Sequence, residues 1–239
     1  SGLNSLRVGQ LDVHQVLVGR RLLHLIPREE IIRSGLLDGV EELFDVIEPR
    51  IAALRVEALA EIANVFSTAG IQFVVVKGVT LPEWLHPGGR NSLMNDVDLL
   101  VHRTDLGEAI EALHQLNYSR STIVRNNKLS SATQFVSPAA EDSCWFFGQT
   151  APFGRLIRCP ELDGVSATSL DFVRGNVAVV SGKAYYLVEL DLHYSLNSLS
   201  NDTGVGHRPP ESFWFDTLTE SSYHGLALPA LSMETFAWY

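Results

Sequence analysis

The chain has 239 residues, of which 46% are hydrophobic and 19% charged, so it is long and apolar enough to bury a substantial core. Its formal net charge of -10 argues against DNA or RNA as the main partner, because polynucleotide-binding proteins usually carry a basic stripe. Cys144 and Cys159 are too few for a disulfide framework, and no apolar run approaches the roughly 20 residues of a membrane helix. These properties predict a globular protein of the reducing cytoplasm with no membrane segment.

Residues 1–70 are predicted to form an N-terminal helical region. Apolar residues recur at three- and four-residue steps over 43–66, which is the period of an amphipathic helix. Pro49 either kinks this helix or begins its second part, and Gly70 suits the left-handed conformation that ends a helix. Two shorter helices are predicted before it, over 6–26 and 28–37.

Residues 71–200 are predicted to form the core of the fold, which consists mostly of strands. The run 71–76 is apolar and β-branched, as in a strand buried on both faces, and the next strand covers 94–102. A helix capped by Thr104 or Asp105 follows and ends near Asn117, a residue that tolerates the left-handed conformation. Further strands are predicted at 134–136, 144–147 and 155–159, over 171–180 with a turn at Gly175-Asn176, and, after a turn at Ser181-Gly182, over 184–194.

Residues 201–239 are predicted to form a loop and the beginning of a C-terminal helical region, with Ser232 as its cap. The whole pattern is that of an α+β protein.

Asp96 and Asp98 carry the first chemical signal. Residues two apart in a strand point the same way, so both carboxylates share one face while Val97 and Leu99 point into a core. Two such anions repel one another unless a cation lies between them, and oxygen ligands suit Mg²⁺ or Mn²⁺. Two of these ions can clamp the attacking and leaving oxygens of a phosphoryl transfer. A half-buried strand with two solvated aspartates explains the same pattern, although apolar flanks place this strand centrally.

A third carboxylate, Asp191, shares one face of the strand 184–194 with Glu189 and His193. An edge strand with a polar outer face explains this alternation by itself. If the strand lies beside that of Asp96, Asp191 completes the metal site or accepts the proton of an attacking hydroxyl. His193 would then support the metal ligands, although a solvated histidine is the simpler expectation.

Cationic residues and a glycine turn lie before the aspartate pair. Lys77-Gly78 follows a strand, and such a turn lets backbone N–H groups approach a phosphate. Arg90 could hold the phosphates of a nucleotide through two hydrogen bonds. A turn glycine between solvated surface cations explains these residues equally well.

Taken together, these segments resemble the uncharacterised nucleotidyltransferase family of the polymerase-β-like superfamily. The likeness rests on the order of Val75-Val76-Lys77-Gly78, Arg90, Met94 to Val101, Ala112 to Tyr118 and Glu189 to His193. It implies a mixed sheet flanked by helices and transfer of a nucleoside monophosphate from a triphosphate such as ATP, with release of pyrophosphate. By position it implies that Asp96, Asp98 and Asp191 bind Mg²⁺ or Mn²⁺, and that Lys77 and Gly78 lie near the nucleotide.

Two residues depart from that pattern. The superfamily usually has serine after the turn glycine, where this chain has Val79, so a hydroxyl contact to phosphate is missing, and we expect Lys77 to replace it. Asn117 stands where the family tends to have glycine. All the carboxylates are kept, so activity is expected.

Three functions are compatible with the residues. The first is an enzyme whose acceptor is a small molecule or a protein, since the acidic charge disfavours nucleic acid. The second is a non-catalytic nucleotide sensor or interaction module on the same fold. The third is a glycosyltransferase using Asp-x-Asp, which normally follows a dinucleotide-binding βαβ pattern that is not seen here.

Overall fold

The protein is described by a computed structural model, which covers residues 26–35, 37–76, 96–120, 122–125, 127–131, 150–194, 212–232 and 235. Residues 6–25 of the predicted helix 6–26 lie outside the described residues, as do the predicted strands 134–136 and 144–147 and the loop 201–210. None of the described helices is long and apolar enough to cross a bilayer.

Helices precede the sheet, as predicted. The short helices α1 (Arg28–Ser34) and α2 (Val40–Glu42) come first, and a π-helical turn (Leu43–Ile47) leads into the long helix α3 (Glu48–Ala69). Pro49 lies in the first turn of α3, directly after the π-helical turn, so of the two roles predicted for it the beginning of a second part is observed. Gly70 has φ 72° and donates its N–H to the last turn, which confirms the predicted cap.

A mixed sheet forms the centre of the molecule and confirms the predicted α+β fold. The helix α4 (Leu106–Gln115) follows its second strand, and Asn117, with φ 63°, ends this helix in the predicted left-handed conformation. Its strands are β1 (Phe73–Val76), β2 (Asp96–Val101), β5 (Thr150–Arg158), β6 (Val177–Val180), β7 (Lys183–His193), β8 (Leu218–Tyr223) and β9 (Leu226–Leu231), and a separate two-stranded ribbon consists of β3 (Thr122–Arg125) and β4 (Lys128–Ser131). Neighbouring strands of the sheet follow the order β5-β7-β2-β1-β9-β8, and β6 pairs with β7.

The two faces of this sheet have different neighbours. On one face, residues of β1, β2 and β7 join α3 and α4 in the main core, which includes Leu99, Leu190 and Phe66. On the other face, Leu100 packs with β1 residues and with Trp214 of the short helix α6 (Phe213–Asp216). The polar residues of β2 and β7 therefore lie on the face away from α3.

A buried cation reaches across the helix-packed core. Arg55 of α3 is only 3% exposed, and its guanidinium donates hydrogen bonds to the hydroxyls of Tyr186 (2.9 Å) and Tyr223 (3.1 Å). Burial alone lowers the pKa of this guanidinium, but the two phenol oxygens raise it above its ordinary value. Arg55 is therefore a buried charged residue that makes polar contacts within the mainly apolar core between α3 and the sheet.

One predicted element is wrong, and one hairpin was not predicted. Residues 171–173, predicted as the strand before the turn at Gly175-Asn176, form a 3₁₀ turn after the short helix α5 (Ala167–Leu170), so only the strand after that turn, from Val177, is observed. Residues 218–231 lie in the segment 201–239, for which no strand is predicted, and form the hairpin β8–β9, in which β9 pairs in parallel with β1. Ser232 nevertheless accepts the N–H of Thr235, which is the hydrogen bond of a helix cap. The division at residues 70 and 200 stays a prediction.

Candidate active site

The parallel pairing of β2 with β7 fixes the arrangement of the polar residues. Asp98 lies directly beside Asp191, and Asp96 lies beside Glu189. Asp191 was expected to complete the metal site only if its strand lay beside that of Asp96, and the two strands are indeed neighbours. Both strands are interior to the sheet, since β1 covers the other edge of β2 and β5 covers the other edge of β7.

Three side chains converge on this pair of strands. One potential ligand atom from each of Asp98, Asp191 and His193 lies within 4.8 Å of the other two. Asp98 is 6% exposed and His193 is 4% exposed, whereas Asp191 is only partly buried. Asp98 and His193 are thus buried, and the group is reachable from solvent through Asp191.

His193 differs from expectation, because it is buried rather than solvated. Its Nε2 lies 2.7 Å from Oδ1 of Asp98, which is a hydrogen bond between two buried side chains. The sequence carried part of the signal, since His193 alternates in step with Asp191. Its burial depends on the register with β2, which places His193 beside Leu100. That register is not visible in either strand alone.

Asp96 occupies the beginning of β2, on the same face as Asp98, and is half-buried. It stands outside the group formed by Asp98, Asp191 and His193. Its neighbour in the sheet is the partly buried Glu189, so a second pair of carboxylate residues precedes the first along both strands. The structure therefore brings Asp98 and Asp191 together and places Asp96 one step further along the strand.

The family of the chain follows from a comparison with protein-family models. The model described as "uncharacterised nucleotidyltransferase" matches residues 50–239. The chain belongs to this family. The matched region begins within α3 and includes every strand of the sheet. Comparisons with the curated proteins and with the solved structures give no match.

Membership in this family supports a nucleotidyltransferase, a class of transferase for which a nucleoside triphosphate is the implied substrate. The donor set of the site is compatible with the divalent cation that such enzymes generally use. Two carboxylates side by side, one of them buried, repel one another unless a positive charge offsets them. Asp98 and Asp191 can supply oxygen ligands, and His193 adds an imidazole.

Apolar residues border the polar strip of this nucleotidyltransferase. On the side of β1, Val76 lies directly beside Asp98 and belongs to the apolar cluster that contains Trp214. Along β7, Leu187 precedes Glu189 on the same face and packs with Val124 of the β3–β4 ribbon. Such flanks lower the local dielectric constant and strengthen the interaction of the carboxylates with a cation.

The three residues predicted to contact the nucleotide, Lys77, Gly78 and Arg90, lie outside the described residues. Val76, the last residue of β1, precedes the first two of them and lies beside Asp98. The chain therefore leaves β1 at the level of the candidate site, which keeps the prediction for Lys77 and Gly78 open.

Proposed function

We propose that the chain transfers a nucleoside monophosphate from a nucleoside triphosphate to a hydroxyl of a small-molecule or protein acceptor, with Mg²⁺ or Mn²⁺ as cofactor and with release of pyrophosphate. The observation that carries the proposal is the pairing of Asp98 with Asp191 on adjacent interior strands, with ligand atoms within 4.8 Å, in a chain of a nucleotidyltransferase family. Carboxylates from distant parts of the chain meet here on one face of the sheet.

We assign Asp98, Asp191 and Asp96 to the binding of the divalent cation. When bound, the ion supplies charge stabilisation for the triphosphate and lowers the barrier to displacement at phosphorus. Asp98 is the buried member of the pair, and Asp191 is the partly exposed one. Asp96 shares their face at the beginning of β2 and would extend the set of ligands toward Glu189.

Asp191 has a second role in the proposal, as acceptor of the proton from the attacking hydroxyl. It is accessible, and a general base must be within hydrogen-bonding reach of the proton that it takes. The acceptor oxygen forms a bond to the α-phosphorus, and the bond from that phosphorus to the bridging oxygen breaks. Pyrophosphate leaves with the electron pair of that bond.

The proposed nucleotide contacts are Lys77, Gly78 and Arg90. Gly78 lets the backbone approach a phosphate, and the two side chains offset its charge. The net charge of -10 supports a small molecule or a protein as acceptor, because a polynucleotide would need a more basic surface.

The first experiment screens the four nucleoside triphosphates for protection against thermal unfolding, with and without Mg²⁺. A triphosphate that binds the folded chain and not the unfolded chain raises its Tm, and the rise grows with the ratio of its concentration to its Kd; we expect this rise to require the metal. Pyrophosphate release is then measured with the protecting nucleotide and a panel of hydroxyl-bearing acceptors. Protection without release for any acceptor would identify a nucleotide sensor instead of an enzyme.

The second experiment assigns the carboxylates. We expect Asp96→Asn, Asp98→Asn and Asp191→Asn each to lower turnover by about 10³-fold, because loss of a metal ligand removes several kcal/mol of transition-state stabilisation. Asp171→Asn, at an exposed position outside the site, is the matched control and should retain full activity. Normal turnover by Asp98→Asn or Asp191→Asn would refute the proposed site, and normal turnover by Asp96→Asn alone would remove Asp96 from it.

A further inference from the structure

The hydrogen bond between His193 and Asp98 has a definite direction. A carboxylate that binds a cation is ionised and only accepts hydrogen bonds, so Nε2 of His193 is then the donor to Oδ1 of Asp98, at 2.7 Å. A nitrogen that donates this hydrogen bond has no lone pair to offer to a cation.

We propose that His193 is a positioning residue, which fixes the carboxylate of Asp98 for metal binding without ligating the metal itself. This inference rests on the proposed function, since it assumes that Asp98 binds a divalent cation there. It divides the group Asp98, Asp191 and His193 into two oxygen ligands and one hydrogen-bond donor that orients the first of them.

The strand alone does not fix the orientation of the Asp98 carboxylate. The backbone of β2 sets the direction of Cβ, but rotation about the last bond of an aspartate side chain is broad and nearly two-fold. Burial narrows the space without choosing an orientation. A donor at 2.7 Å from Oδ1 does choose one, and the two oxygens of a carboxylate together offer about four lone-pair sites, so capacity for a cation remains.

The register of the sheet explains why His193 is the donor. His193 lies two residues beyond Asp191 on β7, so it shares the face of Asp191 and stands diagonally across from Asp98. Diagonal neighbours on adjacent strands are within reach when one of them has a long or aromatic side chain. Because both strands are interior and both side chains are buried, the donor and the acceptor are held by rigid backbone.

This arrangement also favours Mg²⁺ or Mn²⁺ over Zn²⁺. An imidazole that ligates through nitrogen favours softer ions, whereas a site made of carboxylate oxygens suits hard ones. With Nε2 engaged by Asp98, the described ligands of the group are the oxygens of Asp98 and Asp191.

The test compares Mn²⁺ binding by the full chain and by three variants, in the absence of nucleotide. His193→Gln keeps an N–H donor near the position of Nε2, His193→Ala removes it, and His114→Ala removes an exposed histidine of α4 as the matched control. Free Mn²⁺ is measured by electron paramagnetic resonance, and electron spin echo envelope modulation of the bound ion detects a directly coordinated histidine nitrogen.

We expect no coordinated nitrogen in the unsubstituted chain. His193→Ala should bind Mn²⁺ about 10- to 100-fold more weakly, which is the usual cost of losing a residue that orients a metal ligand. His193→Gln should stay within about threefold of the unsubstituted chain, because it restores the same hydrogen bond, and His114→Ala should be unchanged. If His193→Ala does not fold, the spin-echo spectrum and the glutamine variant still decide.

The inference is overturned by a coordinated nitrogen signal in the unsubstituted chain, by equal affinity of His193→Ala and the unsubstituted chain, or by no rescue in His193→Gln. Absence of Mn²⁺ binding by the unsubstituted chain overturns it as well. None of these measurements depends on nucleotide transfer. The pyrophosphate assay with Asp98→Asn and Asp191→Asn decides the proposed function separately.

Discussion

The face of the sheet that packs against α3 and the face that carries the carboxylates are built from alternate residues of the same strands. Toward α3, β2 and β7 present apolar side chains that are almost fully buried, such as Leu99 and Leu190. Toward the other side they present Asp98, Asp191 and His193. Adjacent residues of either strand point to opposite faces, so a side chain that packs in the core is followed by one that lies at the candidate site.

The difference shows that stability and function are separable in this sheet. Burial of apolar area favours folding on the helix-packed face, whereas neighbouring like charges on the other face oppose it. Substitutions on the first face should therefore destabilise the chain, and neutralisation of a carboxylate on the second should stabilise it while removing activity.

The largest expected effect is that of Leu99→Ala on the helix-packed face. Leu99 is fully buried in the main core, so its truncation should lower the free energy of unfolding by about 2–5 kcal/mol. Urea titration measures the change, and Val180→Ala, at an exposed position of β6, should stay within about 0.5 kcal/mol. Equal effects of the two substitutions would contradict the assigned core.

The next effect is that of Tyr186→Phe, which tests the polar contact inside the same face. It removes the oxygen that accepts from Arg55 at 2.9 Å, so a buried guanidinium loses one of its partners. We expect a loss of about 1–3 kcal/mol in the free energy of unfolding. Tyr185→Phe, one residue earlier and only partly buried, is the control and should be nearly neutral.

A smaller effect is expected at the end of α3, where the helix-packed face begins. Gly70→Ala should lower the free energy of unfolding by about 1–2 kcal/mol, because φ 72° is a left-handed conformation that alanine disfavours. No atom lies within 4 Å of the added Cβ, so a steric clash adds nothing to this loss. Gly107→Ala, inside α4 and also in open space, should stabilise the chain by about 0.5–1 kcal/mol. The Tm of both variants is measured by thermal unfolding, and shifts of the same sign would contradict this prediction.

The smallest effect is expected on the carboxylate face. Asp191→Asn should raise the free energy of unfolding by about 0.2–1 kcal/mol without metal, because it relieves the repulsion from Asp98 directly opposite. Added Mg²⁺ should stabilise the unsubstituted chain more than the variant, so the difference should shrink or reverse. A metal-free variant less stable than the unsubstituted chain would contradict the proposal that the carboxylate face opposes folding.

The local elements were predictable because their signals are local. The three- and four-residue spacing identified α3, and Gly70 and Asn117 identified the ends of two helices, both with positive φ. The turn at Ser181-Gly182 also has positive φ at both residues and joins β6 to β7. In each case the conformation is set by residues within a few positions.

The hairpin 218–231 was missed because its sequence lacks such signals. Pro229 lies within β9, although proline cannot donate to a ladder and usually argues against a strand. The turn at His224-Gly225 has positive φ at both residues, but histidine is not a usual residue for it. What holds this hairpin in the sheet is the parallel pairing of β9 with β1, a long-range contact.

The candidate site was predictable in part. The strand period placed Asp96 with Asp98, and the resemblance singled out Asp191, but the register that brings Asp98 to Asp191 is set by the packing of the whole sheet. The same register buries His193, which therefore could not be distinguished from a solvated histidine.

The hydrogen bond from His193 to Asp98 joins residues 95 positions apart, on parallel strands that no tight turn can connect. Closing so long a loop is slow, because its entropic cost precedes the favourable contacts that it makes possible. A divalent ion can bind to both strands only after the loop has closed. The ion should therefore slow unfolding, with little effect on the rate of folding.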